Sequence, residues 1–325
     1  MFKIHSILLT NNESDILAEC LDSASKWSDY IYVFDTGSTD KTPEIINKMS
    51  KSNPRIIYYK SEFRKYDFTK NIGEVMKHYF HNSSVGDWWC TLCTDEQYPD
   101  DPRIFLSKVP DSFNNVWSST LSYYFTDDEV ARIKKDDALQ SGDFSSIKYS
   151  EFLRYYKNNY SETRFYRHHS KMNGNTTLIP KNFSPIFPFR IAMQHFQYRS
   201  PSQIISRVRS RQSIFQDDPL MQFAHEYDFN LPSGDNSVSL SLAIKNSKMD
   251  FSDEEILSSR IVPLNFLDLD RKDGKYKFNE PILPKIPVST GVLIGYLKLF
   301  LSYPIANGLK RVRQLIYSSK AVDKK

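Results

Sequence analysis

The stretch Tyr30-Ile-Tyr-Val-Phe-Asp-Thr-Gly-Ser-Thr-Asp-Lys-Thr-Pro43 decides the fold class of this chain. Its first five residues are apolar or aromatic and predict a buried strand. The six residues that follow, 35–40, are turn formers, and Gly37 permits a tight turn. Thr42 before Pro43 is typical of a helix start, with the threonine as the N-cap. The stretch therefore predicts a strand, a turn and a helix in direct succession.

The same alternation extends to both sides of this stretch. Compact apolar runs predict further strands at 4–9, 55–59 and 88–92, and apolar residues at helical spacing predict helices at 16–24 and 68–80. Strands that alternate with helices indicate an α/β fold with a mostly parallel sheet. Ligands of such sheets bind beyond the carboxyl ends of the strands. This chain carries polar clusters at three of those ends, residues 10–13, 35–40 and 94–96.

Composition excludes several other classes of protein. The chain has 325 residues, 40% of them hydrophobic and 25% charged, as in globular proteins with a real core. Residues 310–325 hold six basic side chains and one acidic one, so the net charge of +4 is concentrated there rather than spread as in a general nucleic-acid binder. Three cysteines cannot form a disulfide framework, which favours a reducing, cytoplasmic location. We expect neither a signal peptide nor a membrane-spanning segment, because no apolar run is long enough.

Two of the polar clusters contain carboxylates suited to chemistry. Asp35 at the end of its strand can accept hydrogen bonds from a base or a ribose, although an ordinary turn would use the same residues. An aspartic protease would need a second Asp-Thr-Gly motif, which the sequence lacks. Asp95 and Glu96 end the strand at 88–92, where carboxylates are costly unless they are paired or bind a cation such as Mg²⁺ or Mn²⁺. Solvated loop carboxylates remain the alternative there.

Six segments together resemble family 2 nucleotide-sugar glycosyltransferases of the GT-A fold, of the type that builds bacterial envelope polysaccharides. They are 7–13 (ILLTNNE), 33–42 (VFDTGSTDKT), 67–71 (DFTKN), 88–96 (WWCTLCTDE), 162–167 (ETRFYR) and 195–203 (HFQYRSPSQ). The resemblance covers about residues 4–211, and their common order makes it specific. One position departs from the pattern: Cys93 stands where the family's metal-binding DxD motif has its first aspartate, and cysteine is a poor partner for Mg²⁺.

The resemblance implies a Rossmann-like GT-A domain with a helical C-terminal extension, a nucleotide-sugar donor, and Mg²⁺ or Mn²⁺ as cofactor. It assigns the metal to Asp95 and His195, and the catalytic base to Glu162, with Asp127 and Asp128 as alternatives. Glu162 could instead simply pair with an arginine. The residues assigned to the donor are Thr10, Asn12, Glu13, Asp35, Lys70, Asn71, Thr94, Asp95 and Arg199.

We divide the chain into the GT-A domain at 1–211, an irregular segment at 212–286 on the acceptor side, and basic amphipathic helices at 287–325. Those helices suit either an anionic inner-membrane surface or a homodimer contact. The expected acceptor is a glycan or a lipid-linked sugar of polysaccharide, capsule or lipo-oligosaccharide synthesis, at the cytoplasmic face of the membrane. A catalytically inactive GT-A module that binds a glycan or a partner enzyme is the alternative, and a metal-dependent nucleotidyltransferase ranks third.

Overall fold

The computed structural model describes residues 2–64, 67–172, 186–217, 249–264 and 270–271. The strands are β1 (Ile4–Thr10), β2 (Tyr30–Asp35), β3 (Ile56–Ser61), β4 (Trp88–Cys93), β5 (Glu96–Gln97), β6 (Asn115–Tyr124), β7 (Tyr155–Arg167), β8 (Ile191–His195) and β9 (Asp270–Arg271). The helices are α1 (Leu17–Ala24), α2 (Thr42–Ser52), α3 (Phe68–Tyr79), α4 (Pro102–Leu106), α5 (Asp127–Ile133), α6 (Asp137–Gln140), α7 (Tyr149–Phe152), α8 (Pro201–Asp217) and α9 (Asp253–Ser258).

The predicted α/β sheet is confirmed by the strand pairing. The strand order is β3-β2-β1-β4-β7-β6-β8-β5, with β9 paired to β7. The first four strands are parallel, and β7 joins β4 in the antiparallel direction. From β1 the chain winds outward through β2 to β3, whereas β4 lies on the other side of β1. Ligand sites of open α/β sheets lie at such a reversal of strand order, which here falls between β1 and β4.

Each face of the parallel strands is covered by its own hydrophobic cluster. On β1, Ile4 and Leu8 belong to the cluster that also holds residues of α1 and α2. Ile7, between them, belongs to the cluster that holds residues of α3. Successive strand residues point to opposite faces, so a strand buried on both faces reads as the continuous apolar run seen in the sequence.

The chain divides into two compact units. The first comprises the described residues of Met1–Thr120 and Tyr160–Met193, and the second those of Leu121–Asn159 and Gln194–Tyr276. In the second unit, the charged segment 127–157 forms the three short helices α5 to α7, the first of which opens with a capping box between Thr126 and Glu129. The predicted segment 287–325 and most of 212–286 lie outside the described residues.

Local chemistry differs from the predictions in a few places. The N-cap of α2 is Lys41 rather than Thr42, because the Asp40 carboxylate accepts the Thr42 amide hydrogen at 2.9 Å and replaces a threonine cap. The strand predicted at 163–167 is the end of the longer β7, and neither β8 nor α4 was predicted. Within the described part of the chain, no helix combines the length and the apolar character that crossing a membrane requires.

Candidate active site

The end of β2 is held by the carboxylate of Asp35, which is fully buried. One oxygen accepts hydrogen bonds from the amides of Gly37 and Ser38 and from the Ser38 hydroxyl, at 3.3, 2.9 and 2.6 Å. The other accepts the Ser61 hydroxyl of β3 at 2.6 Å. A carboxylate offers about four lone-pair sites. Asp35 therefore stabilises its own turn and its neighbour strand, and a nucleotide contact at Asp35 would have to share an oxygen with these donors.

The loop after β1 is tied to the turn after β2 by side chains. Asn12, at a φ of 53°, accepts the Thr39 amide hydrogen through its side-chain oxygen at 2.7 Å. Asp40 accepts the Ser14 amide at 3.0 Å, and the Thr42 hydroxyl accepts the Glu13 amide at 3.1 Å. These bonds fix the two loops against each other at the carboxyl edge of the sheet. The predicted donor-binding segments 10–13 and 35–40 are therefore adjacent in space.

The turn after β4 brings the third polar cluster to the same edge. Leu9 of β1 is paired with Cys93, and the Thr94 hydroxyl donates to the Leu9 carbonyl at 3.1 Å. Asp95 follows in the turn and is only 6% exposed. Thr10 is also buried, and its hydroxyl has no hydrogen-bond partner among the described residues. An unsatisfied buried hydroxyl at the strand-order reversal is what a pocket for a polar ligand would leave in the free protein.

Arg164 of β7 links this turn to the predicted base. Its buried guanidinium pairs with the buried carboxylate of Glu96 and donates to the Glu162 carboxylate at 2.6 Å. Glu96 in turn accepts the Cys93 amide hydrogen at 2.9 Å. The arginine pairing weighed for Glu162 from the sequence is thus confirmed. The Glu162 side chain keeps 39% of its surface exposed, against 5% for Arg164, so it remains accessible to a reacting group.

The electrostatic field around Cys93 is negative. Burial raises the pKa of the Cys93 thiol well above its usual range, and the carboxylates of Glu96, Asp95 and Glu162 raise it further, while Arg164 opposes them. Cys20 of α1 behaves in the same way, since burial and then the charges of Glu96 and Asp95 raise the pKa of its thiol. The surroundings of each thiol therefore favour its neutral form.

The donor set limits how a metal ion could be held. The described residues contain no group of three or more His, Cys, Asp or Glu side chains arranged for a metal. Glu96 is paired with Arg164, and cysteine is a poor ligand for Mg²⁺, so Asp95 is the candidate ligand of this turn. Mg²⁺ commonly binds through one or two carboxylates together with substrate phosphates. The residues present therefore suit a metal that is completed by a bound diphosphate.

The family model of glycosyl transferase family 2 matches residues 7–183, more than half of the chain. The chain belongs to this family. The match runs from the second half of β1 through β7, includes all three polar clusters, and supports the GT-A type of sheet. No curated protein matches the chain.

Solved structures with a similar fold include S. aureus TarS in complex with UDP, at 18% identity and a TM-score of 0.30, covering 38% of this chain and 36% of that one. Another structure of S. aureus TarS matches over 22% of its length. The mannosyltransferase PcManGT from Pyrobaculum calidifontis, in complex with GDP-Man and Mn²⁺, matches at 11% identity and a TM-score of 0.36, covering 79% of both chains. The chain thus spans well under half of the TarS structures.

The predicted site residues fall into two groups. The first unit holds Thr10, Asn12, Glu13, Asp35, Lys70, Asn71, Thr94, Asp95 and Glu162. Within it, Lys70 is exposed in the first turn of α3, and Asn71 is buried beside it. The second unit holds His195, the last residue of β8, and Arg199. Arg199 is fully buried, donates to the Phe196 carbonyl at 3.2 Å and packs on the Tyr149 ring, so its contact with a phosphate stays a prediction without exposed surface to support it.

Four residues that hold the site residues in place by hydrogen bonds and ion pairs were not predicted from the sequence. Arg164 and Glu96 were not assigned, nor were Ser38 and Ser61, which complete the shell of Asp35. A buried carboxylate needs a cation or several donors, so Glu96 beside Asp95 signalled that a partner must exist. The partner lies 68 residues away, and no local pattern names it.

Proposed function

We propose that this chain is a nucleotide-sugar-dependent glycosyltransferase that moves a sugar to an acceptor hydroxyl with inversion at the anomeric carbon. Membership of glycosyl transferase family 2 over residues 7–183 is the observation that carries the proposal. The adjacent ends of β1, β2 and β4 support it, because they collect polar side chains at the reversal of strand order.

The donor is proposed to lie across these strand ends. The buried Thr10 hydroxyl supports this location, since a ligand would supply its missing partner. The exposed Lys70 would face the diphosphate, where a cation stabilises the charge of the leaving group. The full proposed set is Thr10, Asn12, Glu13, Asp35, Lys70, Asn71, Thr94, Asp95 and Arg199.

Asp95 and His195 are the proposed ligands of Mg²⁺ or Mn²⁺. When bound, such an ion acts as a Lewis acid toward the diphosphate. Asp95 contributes a hard oxygen donor at the turn after β4, and the hydrogen bonds from Thr94 to β1 and from the Cys93 amide to Glu96 hold that turn in place. Hydrogen bonds within the chain, rather than a bound metal, therefore position this turn.

Glu162 is proposed as the catalytic base. It would take the proton of the acceptor hydroxyl while the acceptor oxygen bonds to the anomeric carbon and the bond from that carbon to the diphosphate oxygen breaks. Its partly exposed carboxylate and its fixed contact with Arg164 support this assignment. Arg164 and Glu96 are buried and serve to position it rather than to react.

The acceptor is proposed to be a glycan or lipid-linked sugar of bacterial polysaccharide or lipo-oligosaccharide synthesis at the cytoplasmic face of the membrane. The basic tail at 310–325 supports a membrane contact, because each exposed Lys or Arg adds about 1 kcal/mol of attraction to an anionic surface. Flotation with anionic vesicles, comparing the whole chain with one ending at Ile286, tests this. A change in subunit number without flotation would assign the tail to a dimer contact instead.

A catalytically inactive module that binds a glycan or a partner enzyme is the second candidate. Cys93 in place of the first aspartate of the DxD motif is the observation that favours it. The two candidates differ in whether the chain cleaves a donor at all.

Release of nucleoside diphosphate from a panel of UDP-, GDP- and TDP-sugars in the presence of Mn²⁺ is the deciding experiment. The wild type should hydrolyse at least one donor slowly and faster with acceptor present. Glu162→Gln should bind the same donor but lose acceptor-dependent turnover by about 100-fold or more, the usual range for a general base. Glu151→Gln is the matched control, because Glu151 is an exposed carboxylate of α7. Binding without any turnover in the wild type would support the inactive module.

A further inference from the structure

Phe63, two residues after β3, is the most exposed large apolar side chain among the described residues, at 83%. Burying a phenylalanine stabilises a fold by about 1.5–3 kcal/mol relative to leaving it in water. The described core buries eight other phenylalanines, so the chain does not lack apolar environments. An aromatic ring held in solvent beside the proposed donor site needs a reason that folding does not supply.

The backbone of Phe63 is fixed against the turn that follows β2. Glu62 donates its amide hydrogen to the Asp35 carbonyl at 3.0 Å, and Arg64 donates its own to the Thr36 carbonyl at 3.2 Å. Gly37 lies so close that a Cβ on it would stand 2.7 Å from the Phe63 Cα. Phe63 is therefore anchored at the carboxyl edge of the sheet, beside the turn of Asp35.

Side chains alternate along residues 60–64, and this alternation places the Phe63 ring on one side of the segment. Lys60, Glu62 and Arg64 share an ion-pair network with Glu74 of α3. Ser61 turns the other way and donates to Asp35. Because successive residues of an extended chain point to opposite sides, Phe63 belongs with Ser61 on the side of Asp35.

We infer that Phe63 is the stacking platform for the base of the nucleotide donor. Every nucleobase has a π-face, and stacking on an aromatic ring holds a base without requiring a hydrogen-bond donor. Such a platform accounts for the exposed ring at a fixed place beside the strand ends. It also gives the base an apolar contact, which the Asp35 carboxylate, already hydrogen-bonded to Gly37 and Ser61, does not provide. The inference rests on the proposed function, because it concerns the same donor.

The test compares nucleotides with pyrophosphate, which shares their phosphates but carries no base. Isothermal titration of wild type, Phe63→Ala and Phe63→Trp with UDP and GDP, and with inorganic pyrophosphate, is carried out in Mn²⁺. Phe63→Ala should weaken the better nucleotide by about 5- to 150-fold, the effect of losing one base–aromatic stack. Its affinity for pyrophosphate should stay within twofold. Phe63→Trp should retain nucleotide affinity, with its indole fluorescence quenched on binding. Ile104→Ala, which removes another exposed apolar side chain on α4, should change neither affinity.

Equal nucleotide affinity in Phe63→Ala and wild type would overturn the inference. An equal loss for pyrophosphate would overturn it too, because the substitution would then act on the shape of the pocket rather than on the base. If folded wild type binds neither UDP nor GDP and also releases no nucleoside diphosphate from any sugar of the UDP, GDP and TDP panel, the proposed function fails and the stack fails with it. That outcome differs from nucleotide binding that Phe63→Ala leaves intact.

Discussion

Arg164 donates a hydrogen bond to Glu162 at 2.6 Å from the same nitrogen that pairs with buried Glu96. Because Glu96 also accepts the Cys93 amide, a single guanidinium connects the turn that carries Asp95 to the carboxylate proposed as the base. The turn that carries Asp95 and the proposed base are thus linked by one buried charge.

Replacing Arg164 by methionine should destabilise the fold. The change leaves Glu96 as a buried carboxylate without its cation, and breaking a buried pair in this way costs about 3–5 kcal/mol of unfolding free energy. Arg164→Met/Glu96→Gln should recover part of that loss, because no net charge is then buried while Cys93 keeps an acceptor. Urea unfolding measures both. Arg209→Met, at an exposed pair, should change little. If Arg164→Met alone were as stable as wild type, the buried pairing would be contradicted.

Asp95→Ala should lower donor turnover by about 100-fold or more in a variant that still folds, as checked by circular dichroism. The reason is the loss of the one carboxylate of the turn that is proposed for the metal. Steady-state donor hydrolysis in Mn²⁺, with Asp22→Ala on the exposed side of α1 as control, checks it. Full activity in Asp95→Ala, or in wild type treated with EDTA, would rule out metal assistance through this residue.

Gly37→Ala and Gly86→Ala form a matched pair, because both glycines have a φ of +100°. An alanine in this backbone conformation is strained by about 1–3 kcal/mol at either position. At Gly86 the added Cβ meets nothing within 4 Å, whereas at Gly37 it meets the backbone of Phe63. Gly37→Ala should therefore lose more unfolding free energy and also weaken nucleotide binding. If the two changes lowered the unfolding free energy equally, the contact with Phe63 would not contribute to stability.

Acid should destabilise the fold through His5. Burial lowers the pKa of His5 to about 4, although Asp87 opposes the shift from 3.7 Å. The unfolded chain, with a histidine pKa near 6.5, takes up the proton first as the pH falls. Stability should therefore drop between about pH 6.5 and pH 4, by about 3 kcal/mol in total. His5→Phe keeps a ring among Tyr30, Tyr32 and Trp89 and should flatten this slope in urea unfolding. An unchanged slope would assign the acid sensitivity to other groups.

The sequence by itself determined the alternating strands and helices of the first hundred residues. The apolar runs at β1, β2 and β4 are buried on both faces, and the turn residues after them are local signals that need no distant partner. Because parallel strands end at one edge, the sequence also predicted that Thr10, Asp35 and Thr94 come together. The register of β1 with its two neighbours bears this out.

Only the tertiary structure decided which hydrogen-bond or ion-pair partner each of the polar groups has. Asp35 accepts a hydrogen bond from Ser61 of another strand, Glu96 pairs with an arginine 68 residues away, and Arg199 is buried within the second unit. The exposure of Phe63 belongs to the same class, since a phenylalanine in a sequence predicts burial. The physical reason is that hydrogen bonds and ion pairs form between groups that long-range folding brings together. Periodicity records which face of an element is buried, but it does not record the partner that each buried charge will meet.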